Sequence, residues 1–233
     1  MPLGQPPSPG ELAQLPRVAV RGLRLHRVFS ASRASPWWFA SLPPGGMDPD
    51  PHGRFDLPEP AGACYLALTP LAAVLEAFQH FSGRLPEVEL RKRRLVTVVA
   101  PPRTPAAANL TAQASRGLGV TAALWAGGDR ALTQAWAAAL HRAGWRALHH
   151  GISHDPAGRL RAVTLLDQAG QHLPFDDPQW LGQVATLHDD AKLHRALARF
   201  GITVSRSDVM LPIVTLDDSG LLHPRPPSAR PNG

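Results

Sequence analysis

The chain has 233 residues, a formal net charge of +6 and a single cysteine, Cys64, so it is sized for one domain with tails. One cysteine excludes an internal disulfide and a multi-cysteine metal site. No apolar run approaches bilayer length, and Met1-Pro2-Leu3-Gly4 lacks the basic start and apolar run of a signal peptide, so a soluble, cytoplasmic protein is expected.

Lysine occurs only at Lys92 and Lys192, so the positive charge is almost entirely arginine. With so much alanine, proline and glycine, that bias reads as GC-rich codon usage rather than a selected basic surface. Arginine also suits bidentate phosphate recognition. The charge therefore fits a phosphate-bearing small ligand as well as a polynucleotide.

Residues 1–22 are rich in proline and glycine, make a poor core segment, and read as an extended arm packed on the domain or on a partner. Leu23, Leu25, His26 and Val28 suit a strand that carries Arg27 near its end. Pro36-Trp37-Trp38-Phe39 is an aromatic cluster, followed by a Pro/Gly/Asp-dense loop from Leu42 to Pro60 that delivers Gly53-Arg54-Phe55. Cys64-Tyr65-Leu66-Ala67-Leu68 suits a buried strand.

Thr69-Pro70 marks a helix start, a hydroxyl N-cap with proline at the first helical position, and the helix is expected over 70–81. Leu71, Val74, Leu75 and Phe78 form its core face, which places Glu76 on the other side among Ala72, Ala73 and His80. Arg91-Lys92-Arg93-Arg94 is the strongest basic run and leads into a β-branched strand at Leu95–Val99. It reads as a solvated lead-in or a docking surface for an acidic partner, and only weakly as a nucleic-acid signal.

Thr111–Gly119 is a short helical or turn segment. Asp129–Ala143 is a helix with Leu132, Ala135, Trp136, Ala139 and Leu140 on its apolar face, stopped by Gly144. Trp145–Leu148 enters a strand before His149, His150 and His154. These three histidines lack helical His-x-x-x-His spacing and a cysteine partner, so no metal site is read there.

Arg161–Leu166 is a further strand, a helix runs from about Ala185 to Phe200, and Ile202–Val204 makes a last strand. The end of the chain carries one apolar patch, Val209–Val214, and then a Pro/Arg-rich stretch expected to be disordered. Short strands mixed with a few helices, without regular βαβ alternation, argue for an α+β fold. Neither a Gly-x-Gly-x-x-Gly nor a Gly-x-x-x-x-Gly-Lys sequence is present.

Arg54, Tyr65 and Glu76 follow one another at intervals of eleven residues, and Tyr65 is the only tyrosine. With Leu25-His26-Arg27-Val28, Pro36-Trp37-Trp38-Phe39, Leu132-Thr133-Gln134-Ala135-Trp136 and His154-Asp155-Pro156, they form an ordered set over roughly residues 23–204. That set resembles the RES-domain family, bacterial proteins named for an Arg, a Glu and a Ser, many of them toxins of toxin–antitoxin pairs.

The resemblance implies a single domain at 23–204 with a fold like the ADP-ribosyltransferases, flanked by the arm at 1–22 and a tail at 205–233. It implies cleavage of the nicotinamide–ribose bond of NAD+ with phosphate or water as acceptor, needing no cofactor beyond the substrates. Glu76 would face the oxocarbenium-like ribose, Arg27 and Arg54 the pyrophosphate, and Tyr65 the nicotinamide ring.

The family's serine falls on Ile152 in the ungapped register and on Ser153 after a one-residue shift, and Ser153 is the candidate. The implied partner is a helix-turn-helix antitoxin covering the active site, with a homodimer or a toxin–antitoxin oligomer as possible assemblies. Neither a membrane nor direct nucleic-acid binding is expected. Transfer of ADP-ribose to a macromolecule, or a degenerate domain acting as a basic binding module, are the competing readings.

Overall fold

Alternating apolar side chains build one eight-stranded sheet in a computed structural model that describes residues 2–43, 52–81, 83–172, 180–205, 214–216 and 222–224. Its strands are β1 (Arg17–Val18), β2 (Arg24–Ser30), β3 (Ala61–Ala67), β4 (Arg93–Val99), β5 (Ala107–Asn109), β6 (Ala147–Gly151), β7 (Arg161–Gln168) and β8 (Gln183–Thr186). The order across the sheet is β1-β5-β6-β7-β3-β2-β4-β8, antiparallel except between β5 and β6. This is the α+β arrangement expected from the sequence.

Period-two alternation sorts the core. Leu25, Cys64, Leu66, Val96, Val98, Val163 and Leu165 pack together on one face. The other face carries two groups. Ala63, Leu148 and Leu166 pack under helix α5 (Arg130–Arg142) through Trp136 and Leu140, while Ala67, Leu95 and Ala162 pack under α2 (Pro70–Ala77) and α6 (Ala191–Arg199). Asp129 starts α5 by accepting the Leu132 amide at 2.8 Å, as an N-cap aspartate should.

The sheet splits in its middle. β2 pairs with β4 from Arg24–Val99 through Ser30–Arg93, and β3 with β7 from Ala67–Ala162 through Ala61–Gln168. Yet β2 and β3 meet only at His26–Ala67. The edge of β3 that β2 leaves is taken by Ala40, which exchanges hydrogen bonds of 2.9 and 2.8 Å with Ala63. Gly62 permits this approach, since a Cβ there would lie 2.8 Å from the Phe39 carbonyl oxygen.

Several elements differ from the sequence reading. Leu12, Leu15 and Val20, within the supposed arm, are almost wholly buried. Ser8 and Glu11 form a capping box on the short helix α1 (Pro9–Leu12), the Trp136 indole donates to the Gly4 carbonyl at 2.8 Å, and the Trp145 indole donates to that of Leu12 at 2.9 Å. Proline-rich chain leaves carbonyls unpaired, and here two tryptophans use them.

Helix α2 stops at Ala77 rather than 81, because Phe78 adopts φ −115° and ψ 29°. Ala185 lies in β8, not in a helix. Val184 pairs opposite Val96, and α6 begins after Asp190, which accepts the amides of Lys192 and Leu193 at 2.9 and 3.0 Å. Thr111–Gly119 contains a 3-10 helix at Gln113–Leu118, and the last strand lies at Thr203–Ser205, parallel to Arg84–Pro86.

The basic run is half neutralised at close range. Arg91 pairs with Glu87 and Lys92 with Glu89, each at 2.6 Å, around the short helix α3 (Glu87–Arg91). Val214–Leu216 pairs with Leu222–Pro224, and the rest of the tail, including the patch Val209–Ile213 and the Pro/Arg-rich end, lies outside the described residues. No described helix is long and apolar enough to cross a membrane.

Candidate active site

A cavity of ≈ 240 Å³ opens where β2 and β3 part, between the α2 and α5 sides of the sheet. Its walls bring together Arg27 from β2, Arg54 from the loop before β3, Tyr65 from β3 and Glu76 from α2, four residues singled out in the sequence. Ser153, the fifth, stands behind Glu76 rather than in the wall. His26, Trp125, Arg130 and His150 complete the setting.

Glu76 owes its place to a helix buried on most sides. Thr69 caps α2 by accepting the Ala72 amide at 3.1 Å, and Ala72, Ala73, Val74 and Leu75 are all buried. The side of α2 that carries Glu76, away from Val74, Leu75 and Phe78, forms the cavity wall with Ala73 and Ala77. A short apolar helix cannot show by periodicity which of its two covered faces meets a core and which a cleft.

One carboxylate oxygen of Glu76, Oε1, accepts the Ser153 backbone amide at 3.0 Å and its hydroxyl at 3.3 Å. Oε2 has no hydrogen-bond partner among the described residues. Ile152 is buried, 4 % exposed, in the cluster that contains Val74 and Leu75. Of the two registers left open by the sequence, the structure brings Ser153 to the glutamate and sends Ile152 into the core.

Arg54 sits in a loop locked from below. The Tyr65 hydroxyl accepts the Phe55 amide at 2.9 Å and donates to Asp56 Oδ1 at 2.7 Å, while Asp56 Oδ2 accepts the Gly53 amide at 2.7 Å. Gln134 of α5 donates to the Gly53 carbonyl at 3.1 Å, and Arg54 Nη1 donates to the Gly127 carbonyl. Gly53 is needed because a Cβ there would come within 2.7 Å of Asp56 Oδ1 and 2.9 Å of the Tyr65 ring.

Tyr65 therefore turns its hydroxyl to the loop, with its ring 6.5 Å from that of Phe55. Burial, and after it the Asp56 carboxylate, push its pKa well above the ordinary phenol value. The hydroxyl stays protonated and donating.

Arg27 lines the cavity, but its guanidinium closes the split in the sheet. Nη1 donates to Cys64 Sγ at 2.8 Å and to the Tyr65 carbonyl at 3.2 Å, and Nη2 donates to the Trp38 carbonyl at 3.0 Å. These carbonyls lie where the β2–β3 ladder has stopped, so the side chain satisfies backbone the sheet no longer pairs. Its buried Nε–H has no partner among the described residues.

The histidines of the site are kept neutral. Burial first, with His149 and Arg54 adding to it against the opposing hydrogen bond to the Gly151 carbonyl, brings His150 down to about 4. Its Nδ1 must carry the proton, since it faces that carbonyl at 2.7 Å, so Nε2 accepts from the Thr164 hydroxyl at 2.9 Å. Burial and Arg24 likewise lower His26, which meets Thr97 Oγ1 at 2.9 Å. His149 is held by Asn109 at 3.2 Å, and Asp155 accepts the amides of Ala157, Arg159 and Leu160 in its own turn.

Asp56, Gln134, Arg130, Trp125 and His150 were given no role in the sequence reading. Gln134 lies inside a motif quoted there and Asp56 directly follows another, but only the fold shows that they meet across Gly53.

A mixed sheet parted over a cleft thus brings one anchored carboxylate together with guanidinium groups in an α+β domain. The RES domain family model matches residues 24–181, and the chain belongs to the RES-domain family. No curated protein matches it. Among solved structures it is similar to the M. tuberculosis MbcT–MbcA toxin–antitoxin complex, at 21% identity over 70% of this chain and 83% of that one, with a TM-score of 0.46.

Proposed function

We propose that this RES-domain protein is a toxin-like enzyme that cleaves the nicotinamide–ribose bond of NAD+ with phosphate or water as acceptor. The observation that carries the reading is Glu76, held through one oxygen by Ser153 and facing the same cavity as Arg54 and Arg130. Membership of the RES-domain family supports it.

The chemistry asks little acid catalysis. The bond between ribose C1′ and the pyridinium nitrogen breaks, its electron pair stays on nitrogen, and nicotinamide leaves neutral. Cationic charge grows on C1′ and the ring oxygen, and a fixed carboxylate beside it lowers that barrier. An oxygen of phosphate or water then bonds to C1′. The arginines of the wall would hold the pyrophosphate. Trp125 lines the cavity beside Tyr65 and would supply an aromatic contact for a planar ring.

An antitoxin of the helix-turn-helix type that covers the cleft is the partner this reading implies, in a cytoplasmic setting. The test is NAD+ loss with purified protein, with and without inorganic phosphate, beside Glu76→Gln and Arg54→Ala. Loss that falls sharply but measurably in Arg54→Ala and further in Glu76→Gln supports the proposal, and a phosphate-dependent ADP-ribose phosphate product makes the enzyme a phosphorylase. Folded protein that leaves NAD+ intact in both buffers overturns it.

A further inference from the structure

We infer that Asp56 and the Tyr65 hydroxyl, assisted by Gln134, are positioning residues that present Arg54 to the cavity, and that Tyr65 does not act on the substrate through its hydroxyl. For its effect on turnover the inference rests on the reading above.

The hydroxyl has one proton, and Asp56 Oδ1 takes it at 2.7 Å. An acceptor lone pair receives the Phe55 amide at 2.9 Å. Asp56 is 3 % exposed, and its other oxygen binds the Gly53 amide. The amides on both sides of Arg54 are thus fixed by one buried carboxylate–phenol pair, and Gln134 holds the Gly53 carbonyl from α5. A change in the backbone torsions of Gly53 or Phe55 strains one of these part-buried hydrogen bonds.

The Arg54 side chain is tied at its far end as well, to the carbonyl of Gly127, which ends α4 (Ala123–Ala126). The guanidinium is therefore held between the 53–56 loop and the end of α4 before any ligand arrives. That arrangement lowers the ordering cost of binding an anion. Gly53 belongs to the same device, since any side chain there would push the phenol and the carboxylate apart.

Tyr65→Phe and Asp56→Asn test the inference on the full chain. Amide hydrogen exchange of residues 53–56 without ligand is expected to rise at least about tenfold in both, while the β3–β7 ladder keeps its protection. In kinetics each is expected to raise KM for NAD+ about tenfold, with kcat changed less, and to add nothing when Arg54 is already alanine. A phenol that touched substrate would act additively with Arg54→Ala.

Unchanged exchange of the loop, or additive kinetic effects, overturns the latch. If the wild-type protein does not consume NAD+, the proposed function falls and the exchange measurement still decides the latch. Should Asp56→Asn fail to fold, Tyr65→Phe, which keeps the ring and its packing, carries the test.

Discussion

Ser153 holds Glu76 twice through the same oxygen, by its backbone amide at 3.0 Å and by its hydroxyl at 3.3 Å. The backbone contact survives any substitution but proline, so the serine side chain is the weaker half of the grip. On the proposed reading, Oε2 is the oxygen that would meet the substrate.

Ser153→Ala is expected to lower NAD+ turnover by about tenfold, the worth of one hydrogen bond to a charged group, with little change in stability. Glu76→Gln is expected to cost about a hundredfold or more, because it removes the charge that faces the developing cation. Rates of the two variants in parallel check the order; equal losses would place the serine hydroxyl itself at the reacting atoms.

Acid is expected to destabilise the fold through His150. Its pKa in the folded chain is about 4, against about 6.5 when unfolded, so between these values the unfolded chain binds more protons. The stabilisation from keeping it neutral is complete above about pH 6.5, falls by up to about 3 kcal/mol as pH drops toward 4, and is flat below. Thermal melts from pH 7 to 4 check this, and His150→Gln is expected to flatten the slope in that window.

The N-terminal segment is expected to be part of the folding unit. Leu12 has no exposed surface and packs with Trp136 and Trp145, so Leu12→Ala should cost about 3 kcal/mol. Urea denaturation with unchanged m-value checks it. A loss below about 0.5 kcal/mol would show that the segment adds little to the core.

Neutralising Arg91 and Lys92 is expected to change stability by less than about 1 kcal/mol, since both pairs sit on an exposed surface. Binding to duplex DNA is expected to be undetectable at physiological salt. Tight, salt-sensitive binding lost in the double variant would favour the basic-module reading instead.

Much of the site was legible in the chain because its residues lie on short, well-punctuated elements. Thr69-Pro70 starts α2, the strand at 61–67 sets Tyr65, and the interval from Arg54 to Glu76 survives in three dimensions as one cavity. Asp129 and Gly144 bounded α5 almost to the residue, since caps are local chemistry.

The remainder needed contacts between distant segments. Whether Ser153 or Ile152 meets Glu76 depends on how β6 leaves the sheet, which no spacing encodes. The split between β2 and β3, which makes both the cavity and the work of Arg27, arises because Ala40 takes the edge beside Ala63. The use of Tyr65 as a latch depends on Asp56 and Gln134 meeting across Gly53. Residue types and local punctuation were set by the sequence itself; which neighbours share a hydrogen bond was decided only by long-range packing, because leaving a polar group unpaired away from water is costly.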